Sequence, residues 1–121
     1  MLKGTGMAAG GISVHAVDVA RGHPARGLRV DIYALGDREH RIAEGIIGEN
    51  GLLDHPSARG EGVSAGLYEV RFAIGDYLRA QGIEKPFLDI VPFRFVIVDE
   101  RAHIHLPFKF TPFGYSLFRG A

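Results

Sequence analysis

The sequence predicts an all-β fold, a two-sheet β-sandwich of about seven or eight short strands with one short helix. Three observations predict it. Apolar and polar residues alternate with period two in several segments. The 17 glycines and 6 prolines interrupt the chain at roughly the 8–12-residue spacing of short strands. Only one segment has the ends and length of a helix.

A first strand is expected over 12–19, closed by the turn signal Arg21-Gly22-His23-Pro24. Over 28–35, Leu28, Val30, Ile32 and Ala34 alternate with Arg29, Asp31 and Tyr33, the mark of a half-buried strand. A weaker strand over 41–47 ends at Gly48-Glu49-Asn50-Gly51, whose Asn-Gly pair favours a tight turn. Residues 56–66 are polar and Gly-rich and read as a loop. Leu67, Val70 and Phe72 carry a strand over 66–74. The helix is expected over 75–82, with Asp76 capping its start and Gly82 closing it in a left-handed conformation. Only about two turns fit, so packing must hold it. The strand over 87–98 contains Pro92, which places it at a sheet edge or a bulge. A strand over 103–110 and a last short one over 115–119 flank the turn Thr111-Pro112-Phe113-Gly114.

At 121 residues the chain fits one domain with a real core, expected over 12–121 behind a flexible Gly-rich leader over 1–11. Fourteen basic residues balance fourteen acidic ones with no basic block, so no nucleic-acid partner and no acidic or membrane-surface partner is indicated. No apolar run approaches a membrane span. Without cysteine there is no disulfide, thiolate nucleophile or thiolate metal site. The cytoplasm is the default compartment, with the periplasm left open.

The strand over 103–110 carries most of the functional information. Ile104, Leu106, Phe108 and Phe110 form one face, so His103, His105, Pro107 and Lys109 point the other way. An outward histidine is a solvated side chain or a site group, and the apolar Pro107 beside it hints at an interface or groove. His15 lies on the first strand beside Val17 and Val19, as a hydrogen-bonded half-buried ring or as a second site group. His23, His40 and His55 lie in turns or beside charged runs and read as surface residues. His103 and His105 point the same way and could share a metal. No third ligand follows nearby, so neither metal nor cofactor is expected.

Four stretches together resemble the transthyretin-like family and, within it, the hydrolases of urate degradation that act on 5-hydroxyisourate. They are Ile12-Ser13-Val14-His15-Ala16-Val17-Asp18 with Arg21-Gly22 and Pro24-Ala25, then Gly66-Leu67-Tyr68 leading to Gly75-Asp76-Tyr77. His103-Ile104-His105-Leu106-Pro107 and Thr111-Pro112-Phe113-Gly114-Tyr115-Ser116-Leu117-Phe118-Arg119-Gly120-Ala121 complete them. The resemblance implies a transthyretin-like sandwich assembled as a homotetramer, a dimer of dimers. A channel between the dimers would be lined here by His15, Val17, His105, Pro107, Lys109, Ser116 and Phe118. It also implies a small-molecule substrate whose lactam ring is opened by water, with His15 and His105 as the acid–base pair and Arg119 and Gly120 in the family's terminal Tyr-Arg-Gly-Ser.

Three positions depart from that pattern. Leu52 stands after the Asn50-Gly51 turn where the family carries an arginine, Phe118 replaces the tyrosine and Ala121 the serine. Each change removes polarity from the expected pocket. Lys109 stands where the family usually has an apolar residue, and it either takes over part of the arginine's role toward a developing oxyanion or merely reaches solvent. Three functions follow: a hydrolase for 5-hydroxyisourate, one for a related cyclic amide such as an N-methylated analogue, or a non-catalytic channel for a small hydrophobic ligand.

Overall fold

A computed structural model of the chain describes residues 10–120. Among these residues, β1 (Ile12–Asp18), β2 (His23–Pro24), β7 (Ile104–Thr111) and β8 (Gly114–Leu117) form one sheet in the order β2-β1-β7-β8. The second sheet takes β3 (Arg29–Leu35), β4 (Glu39–Ile46), β5 (Gly66–Phe72) and β6 (Val91–Ile97) in the order β4-β3-β5-β6. The single α-helix, α1 (Ile74–Ala80), follows β5 directly. All pairings are antiparallel except that of β1 with β7.

The alternation read from the sequence decides which face of each strand is buried. Ile12, Val14 and Ala16 of β1 and Ile104, Leu106, Phe108 and Phe110 of β7 point inward. They meet Val30, Ile32, Tyr68, Val70 and Phe72 from the opposing sheet. The Phe72 and Phe108 rings stack across the gap with centroids 4.1 Å apart, joining β5 to β7 at the centre of the sandwich. Truncating either ring to alanine would cost about 3–5 kcal/mol, the usual range for a buried Phe. Ile74, Tyr77 and Leu78 turn the inner side of α1 into the same core. The Tyr77 hydroxyl donates to buried Asp18 at 2.9 Å, tying the helix to the end of β1, and burial followed by Asp18 raises the phenol well above its usual range.

Several elements differ locally from their sequence expectation. Asp76 does not cap α1; the N-cap is Ala73 without a side-chain bond, and Asp76 sits in the first turn, paired with Arg79 at 2.8 Å. Gly82 does follow the helix with a φ of 97°, as a left-handed closing residue requires. Residues 87–90 stay outside the sheet, where Phe87 and Ile90 are exposed, and the strand begins at Val91. Pro92 fits because β6 is an edge strand, with one neighbour. His23 and Pro24, read as a turn, make a two-residue strand on β1, and β8 ends at Leu117. His55 is half-buried rather than a free surface residue: its Nδ1 accepts from the Ser57 N–H and caps a short 3-10 turn, Pro56–Arg59. The leader expected over 1–11 falls mostly outside the described residues. Gly10 and Gly11 fall within them and are buried, and the Gly11 carbonyl accepts from the Ile104 N–H at 2.8 Å.

Candidate active site on the outer face of β1 and β7

Parallel pairing of β1 with β7 sets the site. Ser13 lies opposite His105, His15 opposite Pro107 and Val17 opposite Lys109, so all six side chains share the face turned away from the core. His15 and His105 are both half-buried on that face. The neighbouring antiparallel strand adds Ser116 opposite Lys109. Phe118 follows on the same side, with the Lys109 ammonium 5.9 Å from its ring centroid. Arg119 is exposed in the segment leading to Gly120, and Ala121 lies outside the described residues.

Each histidine is bounded by a glycine backbone. Residues 48–53 form a compact turn in which Gly51 N–H donates to the Gly48 carbonyl at 3.0 Å and Leu52 N–H to the Asn50 side chain at 3.0 Å. The turn docks on the free edge of β1, where Ala16 N–H donates to the Gly51 carbonyl at 2.9 Å and Leu53 N–H to the Val14 carbonyl at 3.2 Å. Gly51 has a φ of 84°, and a Cβ there would lie 2.6 Å from His15 Nε2. Backbone conformation and contact both demand glycine at this point. Leu52 pairs with His15 as an antiparallel bridge, which puts its side chain, 39% exposed, beside the His15 ring on the outer face. On the other side Gly120 N–H donates to the His105 carbonyl at 2.7 Å, and a Cβ at Gly120 would lie 3.0 Å from the His105 ring.

A hydrogen-bonded row runs behind His105. Ser13 Oγ lies 2.7 Å from His105 Nδ1 and 2.8 Å from His103 Nε2, and His103 Nδ1–H donates to the Gly10 carbonyl at 2.9 Å. Burial first, then the neighbouring His15 and His103, hold the His105 pKa below its ordinary value. The lowered pKa favours the neutral ring, and one of its nitrogens is tied to Ser13.

The structure thus brings His15, His105, Lys109, Ser116, Phe118 and Leu52 onto one face, with Arg119 at its margin. Ser13, Gly51 and the Gly10 carbonyl contact the histidines of this candidate site, and sequence reasoning missed them. Period-two counting from His15 marks Ser13 as outward, but only the β1–β7 pairing shows what it touches. Among the described residues no three His, Asp or Glu side chains converge to hold a metal ion. No helix among them is long and apolar enough to cross a membrane.

Comparison with known proteins shows the family and the fold. The HIUase/Transthyretin family profile matches residues 12–120. The chain is 41% identical over 116 residues to 5-hydroxyisourate hydrolase 2 of Rhizobium meliloti (strain 1021), covering 93% of this chain and 97% of that protein. Among solved structures, Klebsiella pneumoniae 5-hydroxyisourate hydrolase superposes with a TM-score of 0.78 at 28% identity, over 93% of this chain and 94% of that one. Sea bream transthyretin, solved with thyroxine, shares the fold with a TM-score of 0.82 at 23% identity, over 91% of this chain and 94% of that one.

Proposed function

The chain belongs to the HIUase/Transthyretin family, and on that premise we propose that it is a hydrolase opening the lactam ring of 5-hydroxyisourate, or of a close analogue such as an N-methylated hydroxyisourate, in urate breakdown. The observation that carries this reading is the pairing of two half-buried imidazoles, His15 and His105, on one outward face, each bounded by a glycine.

In the reaction His105 takes a proton from water, and the hydroxide adds to the amide carbonyl carbon. The carbonyl oxygen becomes an oxyanion as the C–O bond forms. Collapse breaks the C–N bond, the ring nitrogen receives a proton, and a carboxylic acid is released. His15 donates to or orients the carbonyl oxygen, and the Lys109 ammonium lies on the same face to stabilise its developing charge. Acid–base groups of this kind typically contribute about 10²–10⁴-fold each.

The face is open in one protomer: Phe118 is 45% and Leu52 is 39% exposed, and Lys109 and Ser116 are exposed beside them. A homotetramer in which a second subunit pair covers it supplies the closed, dry channel that such chemistry favours. A cytoplasmic location belongs to the same reading and is checked by cell fractionation. Leu52 and Phe118 put apolar surface where the resembled hydrolases have polar groups, which favours a methylated substrate and keeps a small-ligand channel as the second reading.

The test generates 5-hydroxyisourate and its methylated analogues in situ by oxidising the corresponding urates, then follows the decay of their absorbance with and without protein. We expect acceleration of at least one substrate, a loss of about 10² or more in kcat for His15→Ala and His105→Ala, and a smaller loss for Lys109→Ala. If no substrate decays faster with protein present, the ligand-channel reading takes its place.

A further inference from the structure

His103 has no role in the reaction above, yet it is wired to the base that does. Its hydrogen positions follow from one fixed acceptor. The Gly10 carbonyl can only accept, so His103 Nδ1 carries a proton whatever the charge on the ring. When His103 is neutral, its Nε2 is a lone pair and the Ser13 hydroxyl donates to it across 2.8 Å. That commits the one hydroxyl proton. At the 2.7 Å contact with His105, therefore, His105 Nδ1–H donates to the serine oxygen, and the lone pair of His105 is on Nε2, the far side of the ring. When His103 is protonated the row reverses. Its Nε2–H donates to Ser13, the hydroxyl donates to His105 Nδ1, and His105 carries its proton on Nε2. The two charge states of His103 thus correspond to the base and acid forms of His105.

We propose that Ser13 and His103 are a proton relay behind His105, with His103 holding the charge during turnover. The proposal rests on the hydrolase reading above. As water is activated, its proton goes to His105 Nε2, the His105 Nδ1 proton passes to Ser13 Oγ, and the Ser13 proton passes to His103 Nε2. Three bonds to hydrogen break and three form, the hydroxide joins the carbonyl carbon, and the positive charge rests on His103. When the C–N bond breaks, His105 Nε2–H protonates the ring nitrogen and the row runs back, leaving His103 neutral. One histidine serves as base and then acid without itself holding a cation.

The placement of the two rings favours this division. A cation on His105 would be half-buried beside His15, whereas His103 is exposed and water solvates its charge. The depression of the His105 pKa by burial, His15 and His103 points the same way. The other titratable groups near the row are His15 on β1, Lys109 on β7 and Arg119 in the C-terminal segment. Asp99 and Arg101 before β7 bond to each other, and His55 is engaged with Ser57. Among the described residues no carboxylate bonds to Ser13, His103 or His105.

Three variants test the relay. Ser13→Ala cuts it, His103→Gln leaves an acceptor for Ser13 that takes no proton, and Ser13→Thr keeps the hydroxyl. Nitrogen-resolved histidine NMR of the unliganded protein at alkaline pH should show His105 as the Nδ1–H tautomer, and Ser13→Ala should shift it toward Nε2–H. With in situ 5-hydroxyisourate, Ser13→Ala and His103→Gln should each lower kcat about tenfold or more with KM little changed. The double variant should lose no more than one single variant does, and Ser13→Thr should restore turnover. In Ser13→Ala the acid limb of kcat/KM should change, because the charge on His103 no longer sets which nitrogen of His105 carries the proton. Wild-type turnover in Ser13→Ala, additive losses in the double variant, or a wild-type His105 in the Nε2–H form would overturn the relay while leaving the hydrolase reading in place. A wild type that opens no substrate would remove the hydrolase reading and the relay's catalytic role with it, and the NMR would still decide the wiring.

Discussion

At Gly51 two requirements meet in one residue. Its φ of 84° costs about 1–2 kcal/mol for any residue with a Cβ, and that Cβ would press on His15 Nε2. We expect Gly51→Ala to lower both thermal stability and kcat, and a melting curve beside the turnover assay checks the pairing of effects. His105 makes the second prediction at this scale. Its folded pKa is depressed below the ordinary 6.5, so the unfolded chain binds the proton more readily than the folded one. Stability is then full above that value and falls as pH drops through it. Denaturant midpoints between about pH 7 and pH 5 should fall more steeply for wild type than for His105→Gln. The direction His105 faces is legible in the sequence, because Ile104, Leu106, Phe108 and Phe110 are all apolar and all buried. Its partner is not legible: Ser13 is 92 positions away and is brought there by strand pairing.

Strands and turns show the same division between local and long-range information. Alternation within a segment predicts β3, β5 and β7 because each has an inner apolar face that its own residues declare. It misses β2, whose two residues hold only because β1 offers a free edge, and it extends β6 back to 87, where the chain has left the sheet. The outer face of the second sheet holds another feature that alternation cannot supply. Glu69 is buried on that face under Arg71, whose Nε–H donates to it at 2.6 Å, and Arg94, at 3.0 Å. The Arg71 bond, foremost, holds the Glu69 carboxyl below its ordinary pKa. The three residues join β5 to β6 by side chains as well as backbone. Because both arginines are partly exposed, we expect Glu69→Gln to cost about 1–2 kcal/mol at neutral pH. The contribution is present above the unfolded carboxylate value of 4.5 and is lost as pH falls through the lower folded one. Urea midpoints of the two proteins should therefore converge in acid.

For the whole molecule the question is what closes the open face. Val96 and Val98 are 62% and 86% exposed along and just beyond the edge strand β6, and Phe113 is 77% exposed in the turn between β7 and β8. Edges and apolar tips of this kind call for partners. We expect the wild type to sediment as a tetramer. Phe113→Lys should shift it to smaller species and lower turnover while leaving the fold of each subunit intact by circular dichroism. A fully active monomer would contradict the covered-channel account of catalysis. What covers this face is the point least legible in the residues alone, since a strand's exposed face reads the same whether water or another subunit lies against it.

The parallel ladder between β1 and β7 also has a consequence for the birth of the protein. Nearly the whole chain separates its two strands, so their register must be closed across a loop of about ninety residues, the kind of late, long-range contact that slows folding. During synthesis β1 can pair with β2 and the 48–53 turn, but its other edge stays open until β7 emerges. His15 and His105 first meet when that ladder closes, so a nascent or truncated chain lacks the site entirely. Recovery of activity on refolding should therefore lag behind collapse of the β3–β6 sheet.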